Sequence, residues 1–452
     1  MPDRVEVARK ARTNLFGAYA APVERICDHG EGIYIFDHNG KRYLDFSAVP
    51  MTCCIGYGNQ KVAEAAAEQI RKIQLCWSTF WFNEREGELA ERILRRVPQN
   101  LTRIQFLNSG SEATDSAIKL AYQYFLERGK SEKRVIISRW QSFHGSTLGA
   151  LSVTGFASRR IKFVPYLTSY PMIDAPLCYR CPYKLSYPDC DVNCARALER
   201  LIKQIGPQYV AAFICEPIGG AATAGMVPVP EYYPIVREIC NKYDVLLIDD
   251  ECICVFGRTG KWFGINHWNV KPDILTMAKG MTGGYASMGA MVVDDRIAKT
   301  FEKANARWFN TYSTAGSPVS CAICKAVLDV IEEQRLVERN VRLGEYLHKK
   351  AKEKLSHHSS VGDIRGKGML MGIELVKNKE TREVFDPALM AAIKVHRLAM
   401  DRGCMVYPSS GMEQGTEGDA LMVTPPYIIT ESEIDTALDI LDEAIGAFEK
   451  EL

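Results

Sequence analysis

Lys279 and the acids Asp249, Asp250 and Glu251 are the residues of this chain best placed for covalent chemistry. Lys279 closes an apolar run, Ile274-Leu275-Thr276-Met277-Ala278, and opens a glycine-rich turn, Gly280-Met281-Thr282-Gly283-Gly284. The acids close a second apolar run, Val245-Leu246-Leu247-Ile248. A lysine and a carboxylate at the carboxyl ends of two buried parallel strands share one crevice. That crevice suits a carbonyl cofactor needing an imine-forming amine and an anion against a ring nitrogen. Pyridoxal phosphate is such a cofactor. The ionised acid would keep the ring nitrogen protonated, so that the ring can take up electrons from a bond broken at the amine-bearing carbon. Period-two alternation puts Asp250 on one face and Asp249 with Glu251 on the other, and does not choose between them. Lys279 would form the Schiff base and, once displaced by substrate, shuttle a proton. Both tasks require a lysine pKa lowered by burial and by the cofactor.

Three further segments could complete such a site. Asn108-Ser109-Gly110-Ser111-Glu112-Ala113 opens a helix, where free amides and the macrodipole favour a phosphate; a plain capped helix start reads the same way. Arg139-Trp140-Gln141-Ser142-Phe143-His144-Gly145-Ser146 follows the run Val135-Ile136-Ile137. Phe143 could stack on a planar ring, and Gly145 would permit close backbone approach. His144 could orient a neighbour or sit satisfied in the core. Glu216-Pro217 follows the run 210–214 and precedes the small-residue turn 218–222, as a salt-bridge anchor or a substrate gate.

The elements that must position these residues are legible as a pattern. Asn39-Gly40 between Ile33-Tyr34-Ile35-Phe36 and Arg42-Tyr43-Leu44-Asp45 predicts a β-hairpin. Residues 61–74 and 84–96 have helical periodicity. From about residue 100, short apolar runs at 135–137, 210–214, 245–248, 274–277 and 290–293 alternate with helices, which predicts an α/β sheet of mainly parallel strands. Beyond about 325 come a helical stretch to about 356, an apolar run at 369–375, and a terminal helix from about 431. These predict a smaller α+β domain. The division is 1–60 contributing to the small domain, 61–325 as the large domain, and 326–452 as the C-terminal small domain.

With 452 residues the chain exceeds one core, and 47% hydrophobic and 25% charged residues are ordinary for a globular protein. A net charge of +1, from 56 basic and 55 acidic residues, argues against nucleic acid or an anionic membrane as partner. Met1-Pro2-Asp3-Arg4-Val5-Glu6 has no apolar signal region, and no run is long enough to span a bilayer. A cytoplasmic location follows as the expectation, with the 15 cysteines as thiols or metal ligands rather than disulfides.

Four of those cysteines lie within a short insertion at about 175–196. Cys178, Cys181, Cys190 and Cys194 form a C-x2-C…C-x3-C pattern that could close around one zinc or one cubane cluster. The segment is rich in Tyr and Pro, with little apolar material of its own, so a metal staple would hold its shape. Cys181-Pro182 favours an iron–sulfur cluster, with zinc as the alternative and unliganded thiols as the third reading.

Taken together, these segments resemble the class III, or ω-, aminotransferases among the fold type I pyridoxal-phosphate enzymes. The resemblance runs from Gly32-Ile33-Tyr34 through Asn108–Ala113, Phe143-His144-Gly145, Glu216-Pro217 and Asp250-Glu251. It continues through Phe256-Gly257-Arg258-Thr259-Gly260, Ala278-Lys279-Gly280, Gly316-Ser317-Pro318, Arg365-Gly366-Lys367-Gly368 and Thr424-Pro425-Pro426. It implies an α/β fold whose large domain holds a mainly parallel, seven-stranded sheet between helices, beside a small α+β domain. It implies Lys279 as the Schiff-base lysine, Asp250 as the ring-nitrogen acid and Phe143 as the stacking aromatic. Ser109, Gly110 and Ser111 would bind phosphate, with His144 and Glu216 near the cofactor. Homodimers or dimers of dimers are implied, with Ser313 or Thr314 of the partner completing the phosphate cup.

The implied activity is amino transfer from an amine or ω-amino donor to a keto acid such as pyruvate. A decarboxylase, aminomutase or epimerase on the same fold is the alternative, and a metal-dependent scaffold that has lost catalysis is the third. Three departures from the family pattern stand out. Val255 occupies a usual glycine position, and Gly56-Tyr57-Gly58-Asn59-Gln60 replaces Gly-His-x-His-Pro. Residues 407–419 contain no arginine, which favours a donor without an α-carboxylate and leaves the acceptor to Arg258 or a partner cation. Trp77, Phe80 and Trp81 line either the substrate pocket or a packing surface.

Overall fold

β-strand formation begins where the sequence first alternates: β1 (Cys27–Glu31), β2 (Tyr34–Asp37) and β3 (Arg42–Asp45) form an antiparallel meander. The β2–β3 turn is the predicted Asn39-Gly40. Asp37 Oδ1 accepts the amides of Asn39 and Lys41 at 2.9 Å each, and Gly40 takes the left-handed conformation (φ +81°) that favours glycine. The computed structural model describes residues 4–17, 22 and 25–452. Met1, Pro2 and Asp3 of the N-terminal stretch, and part of the 1–60 segment, lie outside the described residues.

Seven strands form the central sheet: β4 (Leu101–Leu107), β5 (Val135–Arg139), β6 (Met172–Ile173), β7 (Val210–Cys215), β8 (Leu246–Asp250), β9 (Ile274–Met277) and β10 (Gly289–Asp294). Their order is β4-β10-β9-β8-β7-β5-β6. The β6–β5, β5–β7, β7–β8 and β8–β9 pairs are parallel, while β10 runs antiparallel to both β9 and β4. Every residue of β7, β8 and β9 is buried. Such strands read as unbroken apolar runs because helices cover both faces. The helix Gly110–Glu127 packs Ala113, Ala117 and Phe125 against Ala212, Ile214, Leu246 and Ile248. The helices Asn193–Ile205 and Tyr232–Lys242 cover the other face, where Phe213, Leu247 and Leu275 point.

The C-terminal third holds β11 (Val361–Lys367), β12 (Leu370–Leu375), β13 (Cys404–Met405), β14 (Tyr407–Glu413) and β15 (Glu417–Val423). An antiparallel sheet of order β11-β12-β15-β14 packs under the helices Leu336–Leu355, Ala391–Asp401 and Glu431–Glu449. β13 pairs in parallel with β3 and so joins the N-terminal meander.

Two details depart from the sequence reading. The helical stretch to 356 is two helices, Pro318–Glu333 and Leu336–Leu355, broken where Arg335 adopts φ +49°. Strands β1, β4, β6, β11, β13, β14 and β15 were not anticipated. β4 carries Thr102, Arg103 and Gln105 among its apolar residues, and β14 contains a proline and a glycine, which blur a strand signal. Among the described residues no helix is long and apolar enough to cross a membrane.

Candidate active site

Asp250 ends β8, a strand flanked on both sides by parallel neighbours, so its carboxylate emerges at the carboxyl edge of the sheet. It is 3% exposed and fully engaged. Oδ1 accepts the Cys252 amide at 3.1 Å and the Thr276 hydroxyl at 3.2 Å, and Oδ2 lies 2.7 Å from His144 Nδ1. Burial alone would push this carboxyl upward. The His144 bond and the Cys252 donors more than offset it, holding Asp250 below the ordinary carboxylate range. An ionised carboxylate accepts, so Nδ1 carries the proton of that bond. Of the two readings of His144 left open by the sequence, the structure gives the orienting one.

Asp249 and Glu251 point to the opposite face, as alternation requires. Glu251 accepts the amides of Gly264 at 2.7 Å and Ile265 at 2.8 Å. Burial dominates both acids: it pushes Glu251 up to about 7 and, with the Glu251 charge beside it, Asp249 well above its ordinary value. Two buried carboxyls so close resist ionising together. This pair is structural in placement, on the far side of the strand from Asp250.

Lys279 follows β9 by two residues and opens the short turn Lys279–Met281 with φ +41°, a left-handed conformation unusual for lysine. Its side chain is half-buried, and its amine has no hydrogen-bond or ion-pair partner among the described residues. Its charge reaches the Cys252 thiol, which burial and the Asp250 carboxylate drive far above its ordinary value against the pull of the amine. Cys252 therefore lies near both Asp250 and Lys279. Sequence reading missed it because nothing in its local pattern marks it out from the other cysteines.

The helix Gly110–Glu127 aims its N-terminus at the same edge. Ser109 caps it by accepting the Glu112 amide at 3.2 Å, and the Glu112 carboxylate accepts the Asn108 amide at 2.8 Å. The amides of Gly110 and Ser111 have no acceptor among the described residues. A Cβ on Gly110 would stand 2.8 Å from Cys252 Sγ, so only glycine lets this helix approach the strand ends. Gly145 plays the matching part: a Cβ there would stand 2.9 Å from Ser111 Cα, and the adjacent Ser146 amide donates to Ser111 Oγ at 3.0 Å. Thr314 and Ser313 are both exposed. The Thr314 hydroxyl donates to Asn108 Oδ1 of its own chain at 2.9 Å, next to this helix start.

Phe143 is half-buried at the end of the loop after β5, edge-on to Phe156 at 6.5 Å. Glu216 makes no ion pair among the described residues. Its Oε2 accepts the Phe143 amide at 3.3 Å and its Oε1 the Gly220 amide at 3.1 Å, while its backbone carbonyl accepts Arg139 Nη2 and the Tyr233 hydroxyl at 2.6 Å each. Glu216 thus ties the loop carrying Phe143 to the turn 216–226.

The class-III aminotransferase family matches residues 17–445. The chain belongs to this family. It is 37% identical over 428 residues to the uncharacterized aminotransferase YodT of Bacillus subtilis, covering 94% of this chain and 96% of that protein. It is 34% identical over 431 residues to the putrescine–pyruvate aminotransferase of Pseudomonas aeruginosa, covering 94% and 91%. An amine transaminase from an uncultivated Pseudomonas species, solved in its PLP-bound form, matches with a TM-score of 0.88 at 31% identity, over 96% of this chain and 97% of that one. The protein is therefore a pyridoxal-phosphate-dependent class III aminotransferase of fold type I, acting on a small amine and a keto acid.

In this aminotransferase Arg258 is 1% exposed, its Nη1 donates to the carbonyls of Pro425 at 2.6 Å and Met369 at 3.2 Å, and its guanidinium lies over the Tyr427 ring at 4.6 Å. It ties the segments of Met369 and Pro425 to its own, while Nε and Nη2 have no hydrogen-bond partner among the described residues. Val255 is buried without left-handed backbone; the turn instead places Phe256 and Gly257 at positive φ. In the variant 56–60 segment, the Tyr57 hydroxyl donates to Asp45 Oδ2 at 2.6 Å and Asn59 caps the helix Gln60–Lys72. Trp77, Phe80 and Trp81 are all exposed on the single chain.

Cys178, Cys181, Cys190 and Cys194 all line one pocket, walled by Tyr183, Tyr187 and Val229. None is in a disulfide. The one trio of ligand atoms lying within 4.8 Å of one another among the described residues is His357, His358 and Asp442. The four sulfurs are therefore more widely spread. In the histidine trio both ring nitrogens of His358 are already taken, by Asp442 at 3.0 Å and Glu449 at 2.9 Å, and the group pins the terminal helix.

Proposed function

We propose that the crevice formed by Asp250, Lys279, Phe143 and the Gly110–Ser111 helix start holds pyridoxal phosphate and transfers an amino group from an amine without an α-carboxylate to a keto acid such as pyruvate. One observation carries this reading: an amine with no partner, Lys279, shares a crevice with a buried carboxylate held ionised, Asp250. The surrounding groups fit the cofactor. The two unpaired amides of Gly110 and Ser111 suit its phosphate, and Ser109 fixes the helix start that presents them. Phe143 offers a ring face. The cofactor supplies an electron sink for the bond broken at the substrate carbon.

The protein's own groups do the rest. Asp250 would face the ring nitrogen of the bound cofactor and favour positive charge there, and His144 keeps that carboxylate ionised and oriented. Lys279 Nζ would take the proton from the donor's amine-bearing carbon and pass it to the cofactor, and would carry one back to the acceptor's carbon in the second half. Glu216 keeps the loop bearing Phe143 in place. The absence of arginine in 407–419 and the commitment of Arg258 to carbonyls support a donor lacking an α-carboxylate, and the putrescine–pyruvate relative is in keeping with that class. A panel of diamines, ω-amino acids and α-amino acids tests this, each mixed with holoenzyme without acceptor while the visible cofactor absorbance is followed. Bleaching by the α-amino acids alone would overturn the substrate class.

The exposed Trp77, Phe80, Trp81 and Phe309 support a homodimer or dimer of dimers, with Ser313 or Thr314 reaching the partner's phosphate site; light scattering of the holoenzyme measures it. The unpaired thiols support a cytoplasmic location. The pocket of four cysteines supports a metal centre. Cys181-Pro182 favours an iron–sulfur cluster over zinc. Iron and acid-labile sulfide on protein purified without oxygen decide between them.

A further inference from the structure

We infer that the four-cysteine centre is a buttress for the turn 216–226, and through it for the aromatic wall of the active site. The inference rests on the reading of the four cysteines as a metal centre. Two independent tethers join that segment to the turn. The first is apolar: Ala175 and Leu177, at the root of the cysteine pocket, form a buried cluster with Met226. Met226 closes the turn, since its carbonyl accepts the Gly219 amide at 2.9 Å. A Cβ on Gly219 would stand 3.2 Å from Met226 Cε, so the methionine lies flat against the turn's backbone.

The second tether is polar and starts between two of the cysteines. Arg180, flanked by Cys178-Tyr179 and Cys181, has only 6% of its side chain exposed. It pairs with Glu374, which is fully buried in β12, and with Glu413 of β14 at 2.6 Å. Glu374 also receives Arg365 Nη1 at 2.6 Å, and the same guanidinium donates twice to the Thr223 carbonyl, at 2.8 and 3.1 Å. Thr223 is the tip of the turn. At the turn's other end, Glu216 accepts the Phe143 amide.

The geometry explains why a staple is needed at this point. Arg180 must be held rigidly to satisfy a carboxylate buried in the small sheet. Between Cys178 and Cys194 the backbone makes only a three-residue 3-10 turn before the helix Asn193–Ile205 begins. Ligation of Cys178 and Cys181 to one centre would fix the backbone on either side of Arg180, adding to the bonds that Arg180 Nη1 makes to the Arg382 carbonyl at 2.9 Å and Arg382 to the Tyr179 carbonyl. The centre then acts at a distance from Lys279, by holding backbone rather than by touching substrate.

Native-state hydrogen exchange on the holoenzyme tests this, read on peptides spanning 216–226 and, as control, 431–449. Three samples are compared: protein as purified without oxygen, the same protein stripped with ferricyanide and EDTA, and Arg180→Met. Stripping accelerates exchange of the Gly219 and Gly225 amides by about tenfold and leaves 431–449 unchanged. Arg180→Met retains its metal and accelerates the same two amides, while Arg180→Lys falls between. Unchanged exchange at 216–226 in stripped protein overturns the buttress and leaves the metal centre standing. Protein isolated with neither stoichiometric iron nor zinc overturns the centre, and the buttress with it. Equal acceleration in 431–449 shows general unfolding and overturns the specific coupling.

Discussion

His144 Nδ1 stands 2.7 Å from Asp250 Oδ2, with both side chains buried at the carboxyl edge of the central sheet. The histidine comes from the loop after β5 and the acid from the end of β8, so the contact crosses β7. It does most to hold Asp250 ionised despite burial. A hydrogen bond to a charged group contributes about 1.5–3 kcal/mol, which is roughly a 10- to 100-fold effect. His144→Leu lowers kcat by that factor. The sign in pH follows: without the bond the Asp250 carboxyl rises, so the acidic limb of the kcat profile moves to higher pH. His144→Gln, which keeps a donor, recovers part of the rate. An acidic limb that stays in place in the leucine variant would show that Asp250 does not depend on His144.

Asp249 and Glu251 lead to a prediction about stability rather than rate. Both are raised in the folded state, Glu251 to about 7, so the native protein binds more protons than the unfolded chain between the ordinary carboxylate range and neutrality. Their contribution is fully present below the unfolded values and is lost as pH rises through about 7. Asp249→Asn removes one acid while keeping a donor to Glu251. The holoenzyme's urea midpoint therefore falls less between pH 5.5 and pH 8 in the variant than in the parent, by roughly the share of one carboxyl. Identical pH slopes would place the sensitivity elsewhere.

Glu216 accepts two amides from different segments, Phe143 and Gly220. Leaving a buried amide without an acceptor costs about 1–3 kcal/mol. Glu216→Ala therefore destabilises by about 2–6 kcal/mol, and Glu216→Gln, which keeps one carbonyl oxygen, by about half as much. Because Phe143 loses its tether, the alanine variant also releases cofactor more readily. Thermal unfolding and cofactor titration measure the two effects. A salt-bridge role would instead make the glutamine and alanine variants equally poor.

How much of this was legible beforehand depended on whether a residue's role is written in local pattern. The strand-end placement of Asp250 and Lys279 was legible because each closes an apolar run, the signature of a strand covered on both faces. The helix start at Ser109 was found because small residues before a helical period mark an N-terminus. The His144–Asp250 pair, the tether from Glu216 to Phe143 and the placement of Cys252 join positions tens of residues apart in sequence, and no period encodes such distances. The enclosure of Arg258 was hidden for the same reason, since Pro425 and Met369, which its Nη1 reaches, lie more than a hundred residues away. The hairpin β14–β15 was missed because Pro408 and Gly411 interrupt its alternation.

That enclosure of Arg258 separates stability from specificity. Arg258→Met strands the carbonyls of Met369 and Pro425, at about 1–3 kcal/mol each. The variant's Tm falls, while KM for the keto acid stays within about twofold of the parent, since no substrate contact is lost. A large rise in KM at unchanged Tm would return Arg258 to the acceptor site.

Lys279 offers the sharpest test of the crevice. Its amine has no protein partner among the described residues, so removing it leaves space rather than an orphaned charge. Lys279→Ala therefore folds, with a Tm near that of the parent, yet loses proton transfer, on the order of 10⁴-fold in rate. The same vacancy permits chemical rescue. A small primary amine such as methylamine can enter where Nζ stood and restore part of the rate, in proportion to its unprotonated fraction and therefore increasingly with pH. Ammonia rescues too, and bulky amines fail because Cys252 and Gly280 lie close by. Rescue that tracks ionic strength rather than free amine would mean that Lys279 acts only as a positive charge. Loss of Tm comparable to the loss of rate would mean that its part is structural.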